Sequence, residues 1–179
     1  MTRRFEGSEL VVATHNKGKR AEFAELFKGR DIRLYSATDF GLESPEETGT
    51  TFLENALLKA RFVASVTGKI ALADDSGVCV DALGGAPGIH TADWAEEDGG
   101  KRDFNRAMKR IHEGIGNNPD TKARFVSVLA LCWPEGHCET AEGVAEGRIV
   151  WPPRGNLGHG CDPIFMPDGY SVTYGEMDP

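Results

Sequence analysis

A strand, a tight turn, a helix and a second strand follow one another within residues 9–36, and that order leaves few folds open to the chain. Glu9-Leu-Val-Val-Ala-Thr14 is an apolar run of strand length, and His15-Asn-Lys-Gly18 punctuates it. Lys19 to Lys28 then carries Ala21, Phe23, Ala24, Leu26 and Phe27, with Gly29 as a helix stop. Ile32 to Ser36 alternates, placing Ile32, Leu34 and Ser36 on one side and Arg33 and Tyr35 on the other. Units of this kind build α/β sheets. Further along, Thr51 to Thr67 reads as a long helix, with Thr51 and Glu54 at capping-box spacing and Asn55 and Lys59 four apart on one face. A third helix is expected over Arg102 to Glu113, a strong strand over Arg124 to Trp133, and a short strand over Ile164 to Met166. Cys138 to Val150 reads as a returning strand broken at Gly143 and Gly147. With no repeat, linker or low-complexity segment, 179 residues predict a single domain with two lobes around a cleft.

The stretch richest in chemistry is Ala71-Leu-Ala-Asp-Asp-Ser-Gly-Val-Cys-Val80. It reads as a short apolar run, Ile70 to Ala73, that ends in two carboxylates, a turn at Ser76-Gly77, and a second short strand from Val78 to Val80. Adjacent acids repel each other and resist desolvation, so a cation there relieves the strain. Oxygen ligands at a strand end suit magnesium, which takes one or two carboxylates and leaves its other positions to water and phosphate. The competing reading is an ordinary acidic turn.

Composition narrows the partners. The formal net charge of -8 argues against general nucleic-acid or membrane-surface binding, which rest on basic patches. It leaves room for a small phosphorylated ligand held by local positive charge or a metal. No apolar run approaches membrane-spanning length, and Arg3-Arg4 is followed by Phe5-Glu-Gly-Ser-Glu9 where an export signal needs apolar residues. A cytoplasmic location is expected. The four cysteines, Cys79, Cys132, Cys138 and Cys161, are expected to be reduced and mostly buried. Cys132, His137, Cys138, His159 and Cys161 could converge on zinc, although their spacings fit no closed zinc pattern.

Three further segments carry candidate function. Thr14-His15-Asn16-Lys17-Gly18-Lys19 joins a buried strand to a helix start, where free amides and the helix dipole favour phosphate. Lys17 and Lys19 add positive charge, and Lys59 is the natural further cation. Glu46-Glu47 is a second acidic pair, just before the capped helix. Two acidic pairs and a basic turn together read as a metal–phosphate site. Gly155-Asn-Leu-Gly-His-Gly-Cys-Asp-Pro163 is a glycine-rich loop in which His159 can stack on a base and Asp162 can accept hydrogen bonds from ligand or from its own backbone.

In this order the segments resemble the inosine triphosphate pyrophosphatase family, also called the Ham1 family. The matching blocks are Thr14 to Lys19, Glu46 to Ala56 with Lys59-Ala-Arg61, Ala73-Asp-Asp-Ser-Gly77 with Ala82-Leu-Gly-Gly-Ala-Pro-Gly88, and Gly158-His-Gly-Cys-Asp-Pro-Ile-Phe165. The resemblance implies an elongated mixed β-sheet flanked by helices, a central cleft and a homodimer. It implies hydrolysis of ITP, dITP and XTP to the monophosphate and pyrophosphate with Mg2+. By position, Asp75 is then the catalytic acid–base residue and a metal ligand, with Glu46 as its metal partner and Glu47 as second choice. Thr14, His15, Asn16, Lys17, Gly18, Lys19 and Lys59 hold phosphates, Ser76 lies against substrate, and His159, Gly160, Cys161 and Asp162 flank base and sugar.

Two departures bear on these expectations. The family usually has an aromatic residue at His159 and a tyrosine at Cys161. It also continues past Gly175-Glu-Met-Asp-Pro179 into a lysine and a Ser-His-Arg motif that read the base. Thr173-Tyr-Gly-Glu176 has capping-box spacing with three residues behind it, so the natural protein is expected to be longer, with a further helix. The rival functions are a Maf-like nucleotide pyrophosphatase, a purine nucleotide-binding module without catalysis, and a zinc-bound structural protein.

Overall fold

The computed structural model describes residues 2–97 and 100–178, with the side chain of Lys17 outside that description. Among the described residues, nine α-helices and β-strands form in the order β1 (Glu9–Val12), α1 (Lys17–Leu26), β2 (Arg33–Ser36), α2 (Phe52–Thr67), β3 (Ala71–Val80), α3 (Phe104–Ile115), β4 (Lys122–Cys132), β5 (Cys138–Ile149) and β6 (Phe165–Pro167). The strands make one mixed sheet in the order β2-β1-β3-β4-β5-β6. β1 runs parallel to β2 and to β3, with Val12 opposite Ser36 and Leu72, whereas β5 and β6 are antiparallel. The α/β class expected from the first unit is therefore present. No described helix is long and apolar enough to cross a membrane.

The chain divides into two compact units, one holding the chain up to Asp75 and Val128–Glu142, the other Ser76–Ser127 and the chain from Gly143 on. In the first, strand alternation sends Leu10, Val12 and Leu72 into one cluster with Phe23, against Phe27, Leu34, Leu129 and Leu131. Burial of each such side chain contributes about 1.5–3 kcal/mol. In the second, Ala107, Met108, Ile111 and Ile115 of α3 pack with Val78, Val80, Ile149, Ile164 and Phe165. Their spacing of one, three and four residues is the apolar stripe of a helix lying on a core.

Helix ends follow the expected chemistry more closely than the strands do. Asn16 caps α1, Thr51 Oγ1 accepts from the Glu54 amide at the start of α2, and Gly68 ends α2 at φ +65°. Thr173 and Glu176 do form a capping box, here opening the single 3-10 turn Tyr174–Glu176.

Three expectations are corrected. β3 is one unbroken strand, not two short ones around a turn. Its Gly77 is needed for close approach: a Cβ there would lie 2.3 Å from Gly88 O and 2.5 Å from Thr91 Oγ1. β5 likewise passes through Gly143 and Gly147 without a break. The third concerns the thiols, because Cys132 and Cys138 form a disulfide and only Cys79 and Cys161 are free. With two of its five members bonded to each other, the cysteine–histidine set is not a zinc site.

Candidate active site

The continuity of β3 changes what the acidic pair is. Successive side chains of a strand point to opposite faces, so Asp74 and Asp75 do not stand side by side. Each is buried, at 8% and 6% exposure, and each has its own lysine. Lys19, in the first turn of α1, pairs with Asp74. Lys59, in the middle of α2, sets its Nζ 2.9 Å from Asp75 Oδ1 and 3.1 Å from Glu47 Oε1. The repulsion expected from sequence is answered by two ammonium groups rather than left for a cation alone.

Lys59 is 8% exposed, so it is a buried bridge between carboxylates, not a surface lysine. Burial disfavours its charge, but the Asp75 and Glu47 carboxylates outweigh that and hold its pKa above the ordinary lysine value. Asp75 is displaced the other way relative to its charge: desolvation pushes its pKa up, and Lys59 only partly opposes this. The second oxygen supplies the reason. Asp75 Oδ2 is buried with no hydrogen-bond partner among the described residues. A half-satisfied buried carboxylate is costly unless a proton, a water or a cation completes it.

The turn before α1 is arranged differently from the expected open cradle. Asn16 Oδ1 accepts from the amides of Gly18 (2.9 Å) and Lys19 (3.4 Å), and Asn16 O accepts from the Arg20 amide at 3.0 Å. An asparagine is a strong N-cap, and it takes the amides that were expected to stand free for phosphate. Thr14 Oγ1 accepts from the Asn16 amide, and His15 Nε2 meets Leu42 O at 2.8 Å. The Lys17 side chain, named above as a phosphate contact, lies outside the described residues.

Both glutamates of the second acidic pair are exposed, and it is Glu47 whose carboxylate reaches Lys59. Nothing in two adjacent glutamates distinguishes them by sequence. Asn55 also goes beyond what sequence reasoning assigned: it is 2% exposed, and its Oδ1 accepts from the Gly49 amide at 2.9 Å. Its position one turn before Lys59 was the available signal.

Ser76 and the 155–163 loop belong to the second unit. There Gly158 and Gly160 take φ of +69° and +66°, and Asp162 Oδ2 accepts from the His159 amide at 2.7 Å. Asp162 thus caps its own loop. Cys161 is fully buried in that unit's core beside Ile164 and Phe165, and burial with the nearby Asp162 charge pushes its thiol up to about 12. Its side chain is packed within that core.

A bound metal fits the first unit's acidic site chemically. Asp75 and Glu47 offer hard oxygen donors, and Asp75 Oδ2 lacks a partner. No three His, Cys, Asp or Glu side chains among the described residues converge on a point. An ion here would take one or two carboxylates and complete its shell with water and phosphate, the habit of magnesium.

Comparison with known proteins points to one family. The model of the Ham1 family matches residues 10–179. The dITP/XTP pyrophosphatase of Brucella melitensis is 52% identical, over 98% of this chain and 82% of its own length. That of Mesorhizobium japonicum is 51% identical, over 96% and 80%. Among solved structures, a HAM1 protein from Coxiella burnetii superposes with a TM-score of 0.85 at 37% identity, over 96% of this chain and 87% of that one. A nucleoside-triphosphatase or dITP/XTP pyrophosphatase from Mycobacterium abscessus gives 0.78 at 37% identity, over 94% and 88%.

Proposed function

This chain belongs to the Ham1 family, and on that premise we propose that it hydrolyses non-standard purine nucleoside triphosphates, dITP, XTP and ITP, to the monophosphate and pyrophosphate. The observation that carries the reading is the buried Lys59–Asp75 pair with one carboxylate oxygen left over. A core has no use for an unsatisfied carboxylate, whereas a hydrolase needs one beside its nucleophile.

The chemistry follows from the charges. Water attacks the α-phosphorus, the bond to the oxygen bridging to the β-phosphorus breaks, and pyrophosphate leaves. Asp75 Oδ2 positions that water and takes its proton, for which a raised pKa is suited. Lys59 keeps the Asp75 carboxylate in place and faces the developing negative charge. Lys19 brings a second ammonium from the start of α1. Phosphate at the Thr14–Lys19 turn would compete with the Asn16 cap for the Gly18 and Lys19 amides. Asp75 and Glu47 would hold Mg2+, which when bound supplies charge neutralisation of the phosphate oxygens and lowers the pKa of coordinated water.

The base-side roles of Ser76, His159, Gly160, Cys161 and Asp162 rest on the resemblance. So do a homodimeric state and a cytoplasmic location, both of which we include in the proposal. The discriminating experiment is a substrate panel with pyrophosphate as the readout. Preference for ITP, dITP and XTP over ATP, GTP and dTTP supports the reading. Preference for pyrimidine triphosphates would favour a Maf-like activity instead.

A further inference from the structure

Glu47 sits in a stretch without regular structure, yet its carboxylate is 3.1 Å from Lys59. Two side chains of α2 tie that stretch down. Glu54 Oε2 accepts from the Thr50 amide at 2.7 Å and from its hydroxyl at 2.9 Å, on the exposed side. Asn55 Oδ1 accepts from the Gly49 amide at 2.9 Å, on the buried side. The approach at Gly49 is close enough to exclude any side chain. A Cβ there would lie 2.4 Å from Asn55 Oδ1 and 2.8 Å from Glu54 Cβ. A 2% exposed asparagine inside a helix is unfavourable unless its polar atoms are used, and here one is spent on the loop two residues from Glu47. Asn55 and Lys59 are four apart on one helix, so the element that presents the ammonium also fixes the loop that presents the carboxylate.

We propose that Asn55 is a positioning residue: through the Gly49 amide it sets the reach of Glu47, and thereby the metal affinity of the Asp75–Glu47 site. The inference rests on the metal-dependent reading above for the use of that site. It makes no contact between Asn55 and substrate. Hydrogen bonds behind metal ligands typically govern affinity by 10- to 100-fold, and this one acts at one remove through the backbone, so an effect of about tenfold is expected.

The test uses the full chain and needs no turnover. Mn2+ binding is measured by electron paramagnetic resonance, alongside exchange of the Gly49 amide in metal-free protein, for wild type, Asn55→Leu, Asn55→Asp and Gly49→Ala. Asn55→Leu removes the acceptor, and Asn55→Asp keeps it. Gly49→Ala forces the same two groups apart from the loop side, so it decides the matter if Asn55→Leu does not fold. Expected are fast Gly49 exchange in Asn55→Leu, Mn2+ binding weakened about tenfold in both Asn55→Leu and Gly49→Ala, and affinity within about threefold of wild type in Asn55→Asp. Equal Mn2+ affinity in wild type, Asn55→Leu and Gly49→Ala would overturn the inference, as would an Asn55→Asp protein as weak as Asn55→Leu. A wild-type protein that binds Mn2+ but releases no pyrophosphate would refute the proposed reaction and leave the positioning role to be read from the same titrations.

Discussion

Lys59 Nζ lies 2.9 Å from Asp75 Oδ1, and both residues are buried. The pair is therefore coupled to stability as well as to chemistry. Removing one member of a buried pair strands the other, at a cost of about 3–5 kcal/mol.

For Lys59→Met the cost should depend on pH. Asp75 has its pKa raised from 3.8, chiefly by burial. A raised acid contributes stability that is complete below its unfolded value and is lost as pH rises through its folded value. Without Lys59 only the more weakly acting Lys19 charge opposes the burial, so the folded value moves higher still. The melting temperature of Lys59→Met should fall further below wild type at pH 8 than at pH 5. Thermal denaturation at the two pH values checks this, and an equal deficit at both would count against a charged Asp75 beside Lys59.

The two glutamates of the 46–47 pair should separate cleanly. Both side chains are exposed, but it is Glu47→Gln that removes the charge touching Lys59. Glu47→Gln is expected to raise the magnesium concentration for half-maximal activity by about tenfold or more, and Glu46→Gln by less than about twofold. The reverse order would return the metal role to Glu46.

The strand fold was legible because its signals are local. Apolar runs, the Asn16 and Thr51 caps and the Gly68 stop each act within a few residues. The continuity of β3 was not legible, because Gly77 reads as a turn until the backbone of Gly88 is seen against it. The same holds for the acidic pair. Its partners, Lys19 and Lys59, lie 55 and 16 residues away, so sequence suggested repulsion where the fold supplies two ion pairs. Composition also misled on Cys132 and Cys138, which β4 and β5 bring together at their adjoining ends.

Gly77→Ala tests the account of β3 directly. The added Cβ meets a backbone oxygen, which cannot swing aside as a side chain would. Overpacking of this sort costs about 1–3 kcal/mol. Urea denaturation should show a lower midpoint with an unchanged slope. A midpoint equal to wild type would mean that the Gly88 loop yields freely.

The thiols give a third chemical check. Cys161 is raised from 9.0 to about 12 by burial and Asp162, and burial also raises Cys79. Both should resist iodoacetamide at pH 8 in the folded protein, since the thiolate is the reactive form. Cys132 and Cys138 should become reactive only after reduction. Because the Cys161 pKa is raised, its share of stability is complete below pH 9.0 and is lost as pH climbs toward about 12. Mass mapping of labelled cysteines tests each assignment, and rapid labelling of native Cys161 would contradict its place in the core.

The most direct measurement is phosphorus-31 NMR of products formed from ITP and Mg2+ by wild type and by Asp75→Asn. The account predicts inosine monophosphate and pyrophosphate in equal amounts, with turnover reduced about a hundredfold or more in Asp75→Asn. Release of orthophosphate with inosine diphosphate, or an Asp75→Asn protein as fast as wild type, would contradict it.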